Sequence, residues 1–198
     1  NRLTAQYFHY LLTDHKTGKI AREYTEKRML TKVAISTYQL GFAPDGFENL
    51  KSFLVKRGYK LENLVDWGLL VSKNGRIYDK FRNRLMFPIM DHQGDVVGFS
   101  GRSISNEDRG PKYLNSPETL VYNKSKTLYG LAQAKEFIRK QDFAVLVEGN
   151  IDIISSFQSG VKNIVAPLGT ALTLDQLTLL KRYLSLIHIS EPTRQAEI

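Results

Sequence analysis

The sequence predicts an α/β protein in two parts: a mixed α+β N-terminal subdomain over residues 1–127, then a truncated parallel βαβα unit over 128–183. Three observations carry this. Residues 1–70 mix apolar and charged residues at helical spacing, the period shortens between 75 and 104, and from 128 onward strand-like and helix-like segments alternate. The last is the pattern of βαβ units on a parallel sheet.

Taken in order, "YFHYLLTDHKTGKIAREYTEKR" reads as helix, "LGFAPDGF" as a turn carrying Gly41, Pro44, Asp45 and Gly46, and "FENLKSFLVKRGY" and "LENLVDWGLL" as short helices punctuated by Gly58 and Gly68. Trp67 and Phe42, Phe47 and Phe53 are assigned to the core. "GRIYDKFRNRLMFPIMDHQGDVVGFSGRSI" breaks into short β-rich runs at Gln93, Gly94 and Gly98, so a meander or hairpin is expected. "LYGLAQAKEFIRK" then predicts a helix, followed by a strand at 143–147, a helix at 152–159, a strand at 162–166 and a helix at 174–183. Thr173 and Gln176 have the spacing of a capping box at the start of that last helix. Residues 184–198, "LSLIHISEPTRQAEI", carry Pro192 and no hydrophobic period, and are read as a non-native tail outside the fold.

With 198 residues, 42% of them hydrophobic, the chain can bury a real core. The absence of cysteine excludes disulfides and thiolate metal sites, and no apolar run reaches the roughly 18 to 20 residues that span a bilayer. A cytoplasmic protein without a membrane partner is the expectation. His9, His15, His92 and His188 are scattered without metal-ligand spacing and are taken as structural or surface residues.

The net charge of +8 is unevenly spread. Residues 73–140 hold 13 Lys and Arg against 7 Asp and Glu, whereas 141–198 hold 4 against 6. A basic middle third attracts a polyanion, and each phosphate it neutralises releases counterions, so binding weakens as salt rises.

One acid stands out against that background. "FAVLV", residues 143–147, is the composition of a strand buried on both faces, and it runs directly into Glu148 and Gly149, with Asp152 four residues beyond the glutamate. Ligands of open α/β sheets lie outside the carboxyl ends of their strands. Gly149 allows a tight turn, and Asp152, early in the next helix, is placed to face the same crevice or to cap that helix. Two hard oxygen donors suit Mg²⁺. The next strand also ends in an open loop, at Gly169 and Thr170, on the same side.

The order of apolar strand, Glu-Gly, Asp152, helix and "GTALT" resembles the Toprim domain. The longer segments "EKRML", "LGFAPDGFENL", "FRNRLMFPIMDHQGDVVGFSGRSI", "PKYLNSPETLVYNKSKTLYGL" and "VEGNIDIISSFQSGVKNIVAPLGTALT" resemble the catalytic core of the bacterial replicative DNA primase family (DnaG-type) over residues 20–183. That resemblance implies a DNA-directed RNA polymerase that makes short RNA primers on a single-stranded DNA template from ribonucleoside triphosphates. It implies Mg²⁺ or Mn²⁺ held by Glu148 and Asp152, with Glu148 the central catalytic acid. It matches functional positions of the basic subdomain to Arg28, Arg102, Lys112, Tyr113 and Lys124; Arg82 and Arg84 fall in a similar basic stretch, and Asn115 and Ser116 in the "YLNSPET" loop are candidates for phosphate or nucleotide contact. On residue type alone, Arg28 suggests an ion pair with Glu23 or Glu26, and Arg82 and Arg84 suggest a solvated strand face.

The second Toprim acidic motif, the zinc module and the helicase-binding region of the family have no counterpart in these residues. The expectation is therefore that zinc belongs to a missing N-terminal module, that a replicative helicase is met through a missing C-terminal region, and that this stretch alone is inactive. Two other readings are weighed: another Toprim enzyme, such as a topoisomerase or an OLD-type nuclease, and a non-enzymatic single-stranded DNA-binding module.

Overall fold

The computed structural model describes residues 1–105, 110–169 and 171–185. The chain opens with helix α1 (Arg2–Thr13), whose Ala5, Phe8, Leu11 and Leu12 fall on one face and are buried. Helices α2 (Lys19–Lys27) and α3 (Lys32–Thr37) follow; the Thr31 hydroxyl caps α3 by accepting from the Ala34 N–H at 3.2 Å. The segment expected to be only a turn begins as strand β1 (Gly41–Ala43), fully buried, and the turn residues Pro44 to Gly46 come after it. Three consecutive small or apolar residues suffice for a strand here because a partner is waiting, and Gly41 lets α1 lie almost on the backbone. A Cβ at position 41 would sit 2.5 Å from Phe8 Cβ.

Helices α4 (Asn49–Val55) and α5 (Leu61–Asp66) lead to the hairpin β2 (Leu70–Lys73) and β3 (Arg76–Asp79). Strands β4 (Arg84–Met90), β5 (Val96–Ser103) and β6 (Tyr113–Asn115) then complete an antiparallel sheet of order β1-β4-β5-β6. The β4–β5 turn falls where Gln93 and Gly94 predict it, tied by the Asp91 carboxylate, which accepts from the N–H groups of Gln93, Gly94 and Asp95. Asp79, at the end of β3, is buried and accepts from the Leu50 and Lys51 N–H groups at 2.7 and 2.8 Å, capping α4 from another element.

The second part runs α6 (Leu131–Gln141), β7 (Val145–Leu146), α7 (Asn150–Gln158), β8 (Ile164–Val165) and α8 (Leu174–Lys181). β7 and β8 pair in parallel, and the Thr173–Gln176 capping box is present. The strands are shorter than predicted and β7 is not buried on both faces: Phe143 is 55% and Leu146 43% exposed. Its only ladder partner among the described residues is β8, with Val145 and Val147 half-buried and Leu146 turned to solvent. The tail expected to lie outside the fold from 184 does not begin there: Leu184 packs against the cluster of Leu131, Ile138 and Tyr183, and the Ser185 N–H donates to the Asp142 carboxylate at 2.7 Å; Thr170, His188 and the rest from 186 onward lie outside the described residues.

The largest core cluster crosses the boundary expected at 127/128. Leu12, Leu40, Phe42 and Phe87 from the first part pack in one cluster with Tyr129, Ile153, Ile164 and Ala166 from the second. Of the aromatics assigned to the core, Phe42 is there, whereas Phe47 is 59% and Trp67 39% exposed. The run of turn residues before Phe47 leaves no facing layer to cover it. Trp67 instead meets Tyr59 edge-on at the surface.

Candidate active site

Glu148 follows β7 directly and is exposed, as a residue one step beyond a strand end should be. Gly149 caps α7 in an extended conformation (φ −128°, ψ 154°), so its role is room rather than a special turn. A Cβ there would stand 2.9 Å from the Asp152 Oδ2, meaning that the Asp152 carboxylate folds back over the glycine toward the strand end. Asp152 does not cap the helix with a side-chain hydrogen bond. Neither acid is taken up in an ion pair among the described residues, where the pairs are Lys19–Glu23, Lys51–Glu48 and Arg139–Glu136. Both are therefore available hard oxygen donors. No third His, Cys, Asp or Glu joins them into a metal cluster among the described residues, so a Mg²⁺ ion there would fill its shell with water and phosphate oxygens.

Opposite these acids stands a cationic and aromatic cluster built by α2, β5 and β6. Arg102 is 6% exposed, donates from Nη1 to the Tyr113 hydroxyl at 2.8 Å, and lies over the rings of Tyr113 and Tyr24 at 5.3 and 5.9 Å. Arg28, the C-cap of α2, covers the Tyr24 ring at 5.6 Å. The ion pair expected of it with Glu23 does not form, because Glu23 faces Lys19 one turn earlier. Burial pushes the Tyr113 hydroxyl above the ordinary tyrosine value, the neighbouring Arg102 draws it back, and the negative charge of Asp152 adds to the rise. Tyr24 of this cluster and Ile151, beside Asp152 in α7, pack against the same core cluster, which brings the first turn of α7 to the side where Arg102 and Tyr113 lie. Lys112, beside Tyr113, is exposed.

The other candidates separate into two groups. Asn115 points toward the second strand-end loop: its Nδ2 donates to the Leu168 carbonyl at 3.5 Å, and its Oδ1 is buried without a partner. Lys124 begins a 3₁₀ turn, is half-buried and lies beside Lys80. Arg82 donates to the Asp79 carbonyl and stacks over the rings of Phe47 and Tyr78 at 4.6 and 5.3 Å. These can meet a ligand. Arg84 and Ser116 have little surface with which to do so. Arg84 is 5% exposed, not on a solvated strand face, and donates to the carbonyls of Gly101 and Pro111 at 3.1 and 2.9 Å, fastening the segment before β6 to β5. Ser116 is 1% exposed, and its hydroxyl accepts from the Phe99 N–H at 3.0 Å. Both chiefly serve the sheet, although Arg84 also forms part of the wall of the cleft beside Arg82.

Arg82 is bordered by two residues that the sequence did not mark as functional. Phe47 is the exposed plate under Arg82, and Lys80 lines a polar cleft of about 470 Å³ together with Arg82, Asn83 and Pro111. Burial draws the Lys80 ammonium below the ordinary lysine value, and the Lys124 charge adds to this. The alternation of Lys80, Arg82 and Arg84 in "DKFRNR" was a usable signal for Lys80. None existed for Phe47, whose exposure is decided by the tertiary placement of α4 and β3.

Two family models match this chain, one after the other. The family model "DNA primase catalytic core, N-terminal domain" matches residues 7–135, and the Toprim domain model matches 142–194. The DNA primases of Listeria monocytogenes and Halalkalibacterium halodurans are 43% and 44% identical to it over 183 and 180 residues. Those alignments cover 92% and 90% of this chain but 29% and 30% of the relatives, so the chain spans under a third of their length. Among solved structures, the RNA polymerase domain of Mycobacterium tuberculosis primase DnaG superposes with a TM-score of 0.87 at 34% identity, covering 94% of this chain and 62% of that one. The DnaG primase catalytic domain bound to ssDNA does so with a TM-score of 0.83 at 40% identity, covering 92% and 58%.

Proposed function

This chain belongs to the DnaG-type bacterial DNA primase catalytic-core family, and on that premise we propose that it forms the template- and nucleotide-binding part of an enzyme that synthesises RNA primers on single-stranded DNA. The observation that carries the reading is that the α7 turn bearing Asp152, which follows Glu148 at the end of β7, packs on the same core cluster as Tyr24, the ring that Arg28 and Arg102 cover, while neither acid is in an ion pair among the described residues. Nucleotidyl transfer asks for that arrangement. The 3′ oxygen of the growing strand attacks the α-phosphorus of a ribonucleoside triphosphate, the bond from that phosphorus to the bridging oxygen breaks, and pyrophosphate leaves.

Glu148 and Asp152 would hold Mg²⁺, which when bound makes the attacking hydroxyl more acidic and neutralises charge on the phosphates. Arg28, Lys112 and Lys124 supply the remaining positive charge from exposed or half-buried positions. Arg102, largely buried, works through Tyr113 by holding its ring and hydroxyl in place. Asn115 acts from behind this surface, tying the end of β6 to the loop after β8 through the Leu168 carbonyl. Farther along, Phe47 and Arg82 offer a base-sized stacking plate beside the Lys80 cleft, and such plates hold single strands without reading sequence. Ribonucleoside triphosphates, single-stranded DNA and a replicative helicase are the partners of this reading, and the cytoplasm its setting. Among the described residues no helix is long and apolar enough to cross a membrane.

The test is a primer-synthesis assay on the full-length protein carrying Glu148→Gln. Removing the charge should lower synthesis at least about 100-fold, since each charged contact in such a site is worth several kcal/mol, while affinity for a single-stranded oligonucleotide stays within about twofold because the cations are untouched. Unimpaired synthesis by the variant would leave the non-enzymatic DNA-binding module as the better reading.

A further inference from the structure

Helix α7 carries Asp152 in its first turn and ends at Gln158, and that terminal side chain reaches out of the second part of the molecule into the first. Its Oε1 accepts from the Thr31 N–H at 2.6 Å, and its Nε2 donates to the Met29 carbonyl at 3.0 Å. Neither bond allows the amide to be turned round, because a backbone N–H can only donate and a backbone carbonyl only accept. The segment it grips is the turn between α2 and α3. Arg28 is the C-cap of α2, Met29 has φ +54° in the left-handed region that non-glycine residues avoid, and Thr31 is the N-cap of α3. Beside the clamp, Phe157 meets Tyr38 edge-on at 5.4 Å, an apolar contact that holds the elements together without fixing how they slide.

We propose that Gln158 is a positioning residue that sets the register between the acids of the strand end and the Arg28–Tyr24–Arg102 cluster, by locking the Met29 turn onto the far end of the helix that bears Asp152. Asp152 and Gln158 are six residues apart on one rigid helix, a rise of about 9 Å. Fixing one end of α7 to the residue after Arg28 therefore fixes the distance that the two sides of the active site must keep. The turn is closed by its own backbone, Met29 N–H donating to the Glu26 carbonyl at 2.8 Å and Leu30 N–H to the Thr25 carbonyl at 2.9 Å, and the two bonds from Gln158 reinforce a conformation that the Met29 side chain does not favour. Met29 is 81% exposed, so no packing of that side chain enforces the turn.

The inference rests on the primase reading for its catalytic consequence and on the hydrogen bonds alone for the clamp, and the test separates the two. In the full-length protein, Gln158→Ala, Met29→Gly and the double variant are compared with the parent. Gln158→Ala should lower kcat for primer synthesis about tenfold, the scale of a sub-ångström to ångström misplacement of reacting groups, with template Kd within about twofold. Met29→Gly alone should stay near the parent. In the double variant, glycine adopts the left-handed turn without help, and kcat should recover at least about threefold. Hydrogen exchange followed by mass spectrometry should show faster exchange in the peptide covering residues 29–36 of Gln158→Ala, with the sheet peptides unchanged. Equal losses of kcat and template affinity without rescue by Met29→Gly, or unchanged exchange at 29–36, would overturn the proposal. A parent protein that makes no primers would overturn the functional reading, and the exchange experiment would still decide the clamp.

Discussion

Asp79 offers a quantitative check on how the Phe47–Arg82 plate, proposed above to hold the template, is supported. Its carboxylate, 2% exposed, receives the Leu50 and Lys51 N–H groups, its own N–H donates to the Phe47 carbonyl at 2.8 Å, and its carbonyl receives Arg82. One residue thus ties α4, Phe47 and Arg82 together. Asp79→Ala removes the cap of α4, at about 1 to 2 kcal/mol, and leaves a buried donor at Leu50 without a partner, at about 1 to 3 kcal/mol. The sum is about 3 kcal/mol, or a fall in Tm of roughly 6 to 12 °C for a domain of this size.

Asp79→Asn should behave differently. Burial raises the Asp79 pKa above the ordinary carboxylate value, outweighing the hydrogen bonds that lower it. The sign follows: a folded-state pKa above the unfolded one contributes stability below the unfolded value and loses it as pH rises through the folded value. The asparagine has no charge to desolvate but keeps one acceptor for two N–H groups and turns its NH₂ toward the other, so at pH 7 it should lie between the parent and Asp79→Ala, about 1 to 2 kcal/mol below the parent, and its stability should fall less than the parent's as pH rises from 4 to 7. Urea titrations at several pH values read both effects, and oligonucleotide binding reports on the Phe47–Arg82 plate. An Asp79→Ala protein as stable as the parent, or an asparagine variant as damaged as the alanine one, would refute the reasoning.

Phe47→Ala should weaken binding of a single-stranded oligonucleotide about tenfold, given roughly 1 to 3 kcal/mol per stacked base, while leaving the melting temperature nearly unchanged because the ring is exposed; fluorescence anisotropy and calorimetry measure the two. Lys80 should lose its proton at lower pH than an ordinary lysine, so DNA affinity should begin to decline earlier on the alkaline side in the parent than in Lys80→Arg, which anisotropy between pH 8 and 10.5 would show; identical pH profiles would count against a role for Lys80 at the DNA surface.

Much of the second part was legible because its signals are local. The capping box at Thr173, the glycine after Glu148 and the alternation of elements from 128 onward each depend on neighbours in sequence. Strand lengths were not legible in the same way, since apolar composition at 143–147 cannot say how many residues find a ladder partner. The site residues divide similarly. Glu148 and Asp152 could be placed from the end of a strand, but the burial of Arg84 and Ser116 depends on strands far apart in sequence closing over them. Basic residues alternating with Phe81 and Leu85 look like a solvated face until the chain at 111–112 returns across the sheet and offers carbonyls to Arg84. Phe47 failed in the opposite direction, an aromatic that a composition-based reading sends inward and the placement of its neighbours leaves outside.

The apolar interior that passes without interruption from Phe42 and Phe87 to Tyr129, Ile153 and Ala166 has a mechanical meaning. Jaws that close on a substrate need a seam that can part, and a seam filled with close-packed side chains cannot open without exposing them to water. The gap between acids and cations is accordingly a set gauge. Whatever lies between them must conform to the width it finds, and the fit would be a property of the anvil rather than of any grip.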